Sequence, residues 1–163
     1  MQKATLHFIN GRLAAGKTTL ARILAAEHHA VLLSEDFWLA KLADEITTFE
    51  DYLKWSRRCR TVMGPLIVSI LSAGTSVVLD FSGNTEAERR WVKNLAEEAH
   101  SDHLLHILDV SEEECLRRLL IRNETQPDGL YFANTSETDF KAICKWFQEP
   151  QAGEGLNLIT HSY

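Results

Sequence analysis

Residues 11–18 have the types and spacing to hold a phosphate. Gly11, Arg12, Leu13, Ala14, Ala15, Gly16, Lys17 and Thr18 fit the pattern of two glycines, four residues between them, ahead of a lysine and a hydroxyl. Glycines let backbone wrap an anion with no Cβ in the way, and the N–H groups opening a helix face it with positive dipole ends. Lys17 is placed to neutralise β- and γ-phosphates, and the Thr18 hydroxyl to complete the coordination of Mg²⁺, with Thr19 closing the loop. The bland alternative is a glycine-rich turn with a solvated lysine. The apolar run before the motif and the helical pattern after it favour the phosphate.

Three further groups belong to the same chemistry. Asp80 follows Val77, Val78 and Leu79, and a carboxylate ending a dry strand can hold a Mg²⁺ water beside the phosphates. Asp36, in Ser34-Glu35-Asp36 after a second apolar run, can accept the proton of an incoming hydroxyl or orient it in line with a γ-phosphate. Its alternative role is to cap a helix starting near Phe37. Glu35 is the weaker candidate base, since in an extended chain it points away from Asp36. Arg117, Arg118 and Arg122 precede a polar stretch. Arg118 and Arg122 are four apart and share a helix face, able to close over a transferring phosphoryl group. A surface role, or pairing with Glu114, competes with that reading.

The elements that position these groups are legible in the periodicity. Strands are expected over residues 6–9, 31–33, 77–81, 104–110 and 158–159. Helices are expected over 17–28, 49–73 (kinked or broken at Pro65), 85–99, from Ser111 to about Arg122, and over 140–147. Ser111 and Glu114 form a capping-box signature. Ser34 is expected to open a loop, and residues 123–136, with Pro127 and Gly129, to form a mobile one. Uncharged strands alternating with helices imply a three-layer α/β/α domain. Its five-stranded parallel sheet is covered on both faces, and taken with the motif of residues 11–18 it is expected to have the fold of P-loop nucleoside triphosphate hydrolases. We expect one domain over residues 1–163, with a lid at about 118–136.

Composition narrows the function. Lys plus Arg number 17 against 23 Asp plus Glu, a net charge of −6, which argues against nonspecific polynucleotide binding. Cys59, Cys115 and Cys144 lie far apart with no CxxC pair, and with no secretory signal they read as reduced thiols of a cytoplasmic protein. The histidines read as solvated or core residues rather than metal ligands. Residues 61–79 carry no charge, but Gly64, Pro65 and Gly74 divide them into a helix end, a turn and a strand rather than a membrane span.

The chain resembles the P-loop kinases of the polynucleotide kinase, zeta toxin and chloramphenicol phosphotransferase type, including kinases grouped under an AAA-like domain. The resemblance covers nearly the whole length. It rests on residues 11–19, Asp36 in Ser-Glu-Asp-Phe, residues 79–90, residues 117–123 and the tail from Phe147 through Pro150 to Glu154 and Asn157. It implies ATP and Mg²⁺ as cofactors, Asp36 as the group that activates or binds the acceptor hydroxyl, and Arg118 and Arg122 as lid arginines. Gln126 stands where 5′-polynucleotide kinases carry a further arginine, which counts against a polynucleotide acceptor.

The expected activity is transfer of the γ-phosphate of ATP to a hydroxyl of a small molecule by a monomer or homodimer, with no membrane partner. The alternatives are a P-loop ATPase or switch with a protein partner, and a 5′-hydroxyl polynucleotide kinase. For the latter, Arg57, Arg58 and Arg60 would line an acceptor groove, though such a trio also reads as a solvated face. Trp38, Phe49, Tyr52 and Trp55 either stack on an acceptor ring or fill the core.

Overall fold

Short apolar runs that alternate with amphipathic ones build a parallel sheet wrapped by helices. The computed structural model describes residues 3–42, 46–125 and 135–162. The strands are β1 (Thr5–Asn10), β2 (Val31–Ser34), β3 (Val77–Ser82), β4 (Asp102–Asp109) and β5 (Leu158–Ser162). All pair in parallel in the order β2-β3-β1-β4-β5. Helices α1 (Lys17–Glu27), α2 (Glu35–Leu42), α3 (Phe49–Ser72), α4 (Glu86–Glu98), α5 (Glu112–Thr125) and α6 (Glu137–Cys144) connect and follow them.

Alternation along β1 sorts the core into two faces. Leu6 and Phe8 pack with Leu39 of α2, Met63 and Ile67 of α3 and Val92 and Leu95 of α4. Ile9 packs with Leu20 and Leu24 of α1, Leu119 of α5 and Phe140 of α6. Each such fully buried side chain contributes about 1.5–3 kcal/mol. Burial on both faces is why the inner strands read as continuous apolar runs.

Several boundaries differ from expectation. The capping boxes at Thr48 and Thr85 fix the starts of α3 and α4. At Ser111 only half the box forms: its hydroxyl accepts from the Glu114 N–H, while the Glu114 carboxylate turns to Arg117 and Arg118. The last helix begins earlier than expected, at Glu137. Pro65 does not break α3. Neighbouring Gly64 is buried, with Trp91 and Leu95 of α4 directly over it. That packing outweighs the roughly 3 kcal/mol a mid-helix proline costs. Among the described residues no helix is long and apolar enough to cross a membrane.

Histidines form a row across the sheet. His7 Nδ1 lies 3.0 Å from His106 Nε2, and His106 Nδ1 lies 2.9 Å from His161 Nε2. The His28 ring, just past α1, sits 4.5 Å from that of His7. His7 and His106 are buried, His161 half-buried, while His28, His29 and His100 are exposed.

Candidate functional site

Strand order sets the site. Chain connections from β1 and β3 depart in opposite directions, which opens a crevice beyond the C-terminal ends of these two neighbours. The loop from Gly11 to Gly16 follows β1 into α1. A Cβ on Gly11 would meet that of Leu108 at 3.1 Å, and Gly16 has φ of 101°, a left-handed conformation natural only to glycine. No side chain caps α1 and no acidic residue occupies its first turn, so its orphan N–H groups face the loop as an anion site. Lys17 Nζ donates to the carbonyls of Gly11 (2.7 Å) and Arg12 (2.9 Å). Burial holds its pKa below the ordinary lysine value, against the pull of Asp80 and Asp36.

Thr18 and Asp80, both expected at the metal, are adjacent. Thr18 Oγ1 donates to Asp80 Oδ2 at 2.9 Å, and Ser34 Oγ donates to the same oxygen at 3.0 Å. Hydroxyl and carboxylate oxygens at a loop mouth fit Mg²⁺, which binds few protein ligands and completes its octahedron with water and phosphate oxygens. β3 does not end at Asp80; it runs on to Ser82.

The acceptor side differs from expectation. Ser34 closes β2 and α2 starts directly at Glu35, so no loop intervenes and the helix begins before Phe37. The turn of the helix separates the two carboxylates. Glu35, only 1% exposed, points into the core and accepts from Ser56 Oγ (2.5 Å), Arg60 Nε (3.3 Å) and Tyr52 OH (3.4 Å). Asp36 is exposed in the first turn of α2, and its pKa is pushed up to about 6. Loss of water is the main cause, with Asp80 and Glu35 adding to it and Lys17 and Arg122 opposing it.

The arginines divide. Arg118 Nη1 donates to the Ala15 carbonyl in the loop (3.2 Å) while its Nε pairs with Glu114 at 2.7 Å. Arg117 is exposed and takes both oxygens of Glu114. Arg122 lies near enough to act on Asp36. The lid expected over 118–136 is α5 as far as Thr125; residues 126–134, with Gln126, Pro127 and Gly129, lie outside the described residues. Arg57 and Arg58 are exposed on α3, but Arg60 is not a solvated residue: Phe81 and Trp91 cover its guanidinium, and it also approaches Glu88 at 3.7 Å. Trp38, Tyr52 and Trp55 pack on the core, and exposed Phe49 stacks on Tyr52.

Three residues with no role assigned from sequence buttress the loop. The Asn84 carboxamide accepts from the Gly11 N–H (2.9 Å) and donates to the Gly11 carbonyl (2.7 Å). Glu88 holds the Asn84 N–H at 2.8 Å. Arg89, 1% exposed, forms a two-pronged pair with Glu154 at 2.7 and 2.8 Å and also donates to the Gly83 and Gln148 carbonyls. Their sequence signal is the stretch from Leu79 to Arg90, whose polar residues cluster behind β3.

A phosphate loop on the central strand, beside a carboxylate strand in a sheet of this order, defines a P-loop domain of the kinase-like class. The chain belongs to the family whose model, described as an AAA domain, matches residues 6–150. A comparison with curated protein sequences finds no match. Solved structures similar to the chain include a candidate kinase of Chloroflexus aurantiacus j-10-fl, 21% identical over 99% of this chain and 86% of that one, TM-score 0.77. Kti12 of Chaetomium thermophilum, in complex with ADP-AlF3, is 17% identical over 97% and 89%, TM-score 0.72. APS kinase of Mycobacterium tuberculosis, in complex with AMPPNP and APS, is 17% identical over 99% and 90%, TM-score 0.66. At these identities the structures speak for the fold.

Proposed function

We propose that the chain is a kinase that moves the γ-phosphoryl group of ATP, with Mg²⁺, to a hydroxyl of a small-molecule acceptor. The observation that carries this reading is the meeting of three elements at Asp80: Thr18 of the phosphate loop and Ser34 at the end of β2 both donate to it, at 2.9 and 3.0 Å, which sets Asp36, two residues after Ser34, beside the loop. A group so placed lies beside the phosphate site and is exposed to the solvent from which an acceptor would enter. In this reading Lys17 and the N–H groups of residues 11–19 hold the triphosphate, and Thr18 and Asp80 hold the metal. Asp36 takes or orients the acceptor proton. Arg118 and Arg122 stabilise charge on the transferring group. Arg60 is committed to Glu35 and Glu88, which leaves the arginine trio of α3 a poor groove for nucleic acid.

The test is a screen of ³²P transfer from γ-labelled ATP to pooled sugars, nucleosides, antibiotics and 5′-hydroxyl oligonucleotides, with the Lys17→Ala protein as blank. Transfer to a small hydroxyl compound by the wild type alone is expected. Transfer to oligonucleotides alone would make it a polynucleotide kinase, and ATP binding without any transfer would favour a nucleotide-dependent switch.

A further inference from the structure

Tyr52, Ser56 and Arg60 are spaced by four along α3, so they share one face of that helix. All three donate to the carboxylate of Glu35. Arg60 carries the hold onward: its Nη2 donates to the carbonyl of Ser82, the last residue of β3, at 3.5 Å, and lies 3.7 Å from Glu88 in the first turn of α4. α2 itself has eight residues, too few for backbone bonds alone to hold a helix. Of its side chains only Glu35 and Leu39 are buried, with Trp38 packed against the core. Trp38 and Leu39 anchor the later part of α2. Glu35 anchors the first turn, which carries Asp36.

A buried carboxylate is a poor stabiliser, since desolvation offsets much of what its ion pair returns, and apolar residues of similar volume often serve stability as well. Three donors converging on one carboxylate supply a fixed orientation instead. We propose that Glu35 is a positioning residue for the transfer step: clamped by Tyr52, Ser56 and Arg60, it sets the place of the neighbouring Asp36 beside the phosphate loop. This role rests on the kinase reading in one respect, that Asp36 handles the incoming hydroxyl. Glu35 acts through Asp36, so its effect on turnover vanishes when the Asp36 carboxylate is absent.

The test is a double-mutant cycle over wild type, Glu35→Ala, Asp36→Asn and the double variant. Turnover is read as release of ³²P-phosphate from γ-labelled ATP, with water as the probe acceptor, and Mg·ATP affinity is measured by calorimetry on the same preparations. Glu35→Ala is expected to lower turnover about tenfold to a hundredfold, the scale of a misplaced reacting group, with ATP affinity changed less than about twofold. Made on top of Asp36→Asn it should cost less than about twofold in turnover. Glu35→Gln keeps an oxygen for Ser56 and Arg60, and is expected to recover most of the loss. If Glu35→Ala proves less stable on thermal melting, Ser56→Ala replaces it in the cycle. That variant removes the shortest of the three bonds, leaves the carboxylate with Arg60, and should show the same coupling. Equal losses with and without the Asp36 carboxylate would mean a merely structural Glu35 and overturn the inference while the role of Asp36 stands. Wild-type turnover in Asp36→Asn, or a wild type that releases no phosphate, would overturn the kinase reading of Asp36, and this role with it.

Discussion

Asp36 reaches solvent, yet the protein packed around its carboxyl thins its hydration and two further carboxylates repel its charge, and the consequence is measurable in the pH dependence of the reaction. A base works deprotonated, so kcat/KM, which reports the free enzyme, is expected to fall as pH drops through about 6 and to level off above about 7. Asp36→Asn should remove that inflection, lower turnover by about 10²–10⁴-fold and leave ATP affinity nearly intact. Wild-type turnover in that variant would reduce Asp36 to a residue of the first helical turn. Asp80→Asn, by contrast, loosens the metal, so its defect should ease as Mg²⁺ is raised. Among the described residues the Lys17 ammonium donates to backbone carbonyls of the loop, and Lys17→Ala should fold normally. Losing a charge-assisted contact worth about 1.5–3 kcal/mol, it should bind ATP roughly tenfold or more weakly in calorimetry. The phosphate loop could be read from sequence because its chemistry is contiguous. Glu35, Arg60 and Asn84 could not, because each gains its role from a residue far along the chain. For Glu35 the expectation of extended backbone fails because the helix has already begun there.

Helix α4 shows how an element holds a site it does not enter. Arg89 faces inward from it and clasps Glu154 of the tail, so the segment from Gln148 to Glu154 is tied behind Asn84 and Gly83. Cutting one side of a buried pair strands the other charge, at a cost of about 3–5 kcal/mol. Glu154→Ala should therefore lower the melting temperature by roughly 6–20 °C for a chain this long. A shift under about 2 °C would show that water reaches the guanidinium. The inner strands were legible because burial on both faces writes most of their residues as apolar runs. The junction of β2 with α2 was not, since no turn residue separates them. Nor was the passage of α3 through Pro65, which depends on what α4 packs against Gly64.

Across the whole molecule, the histidine row ties β1, β4 and β5 to the end of α1, and it makes folding sensitive to acid. The groups facing His7 and His106 are His28, His161 and each other, with no carboxylate among the charges that act on them. Loss of water, then the neighbouring imidazoles, lowers both pKa values from 6.5 to about 4. The unfolded chain therefore binds more protons between these values. Stability should be fully present above about pH 6.5 and fall toward pH 4, each ring adding a slope of up to about 1.4 kcal/mol per pH unit. Urea midpoints measured across this window check it: His106→Phe should flatten the curve, and an unchanged slope would refute the idea. The row also has a polarity. His7 Nε2 is buried and meets no partner among the described residues. A bare lone pair can be left there more cheaply than an N–H. Each imidazole is thereby committed to the Nδ1–H tautomer, His7 donating to His106 and His106 to His161. One dry atom at the inner end thus selects the tautomer of a ring two strands away, and ¹⁵N shifts of His161 should show its proton on Nδ1.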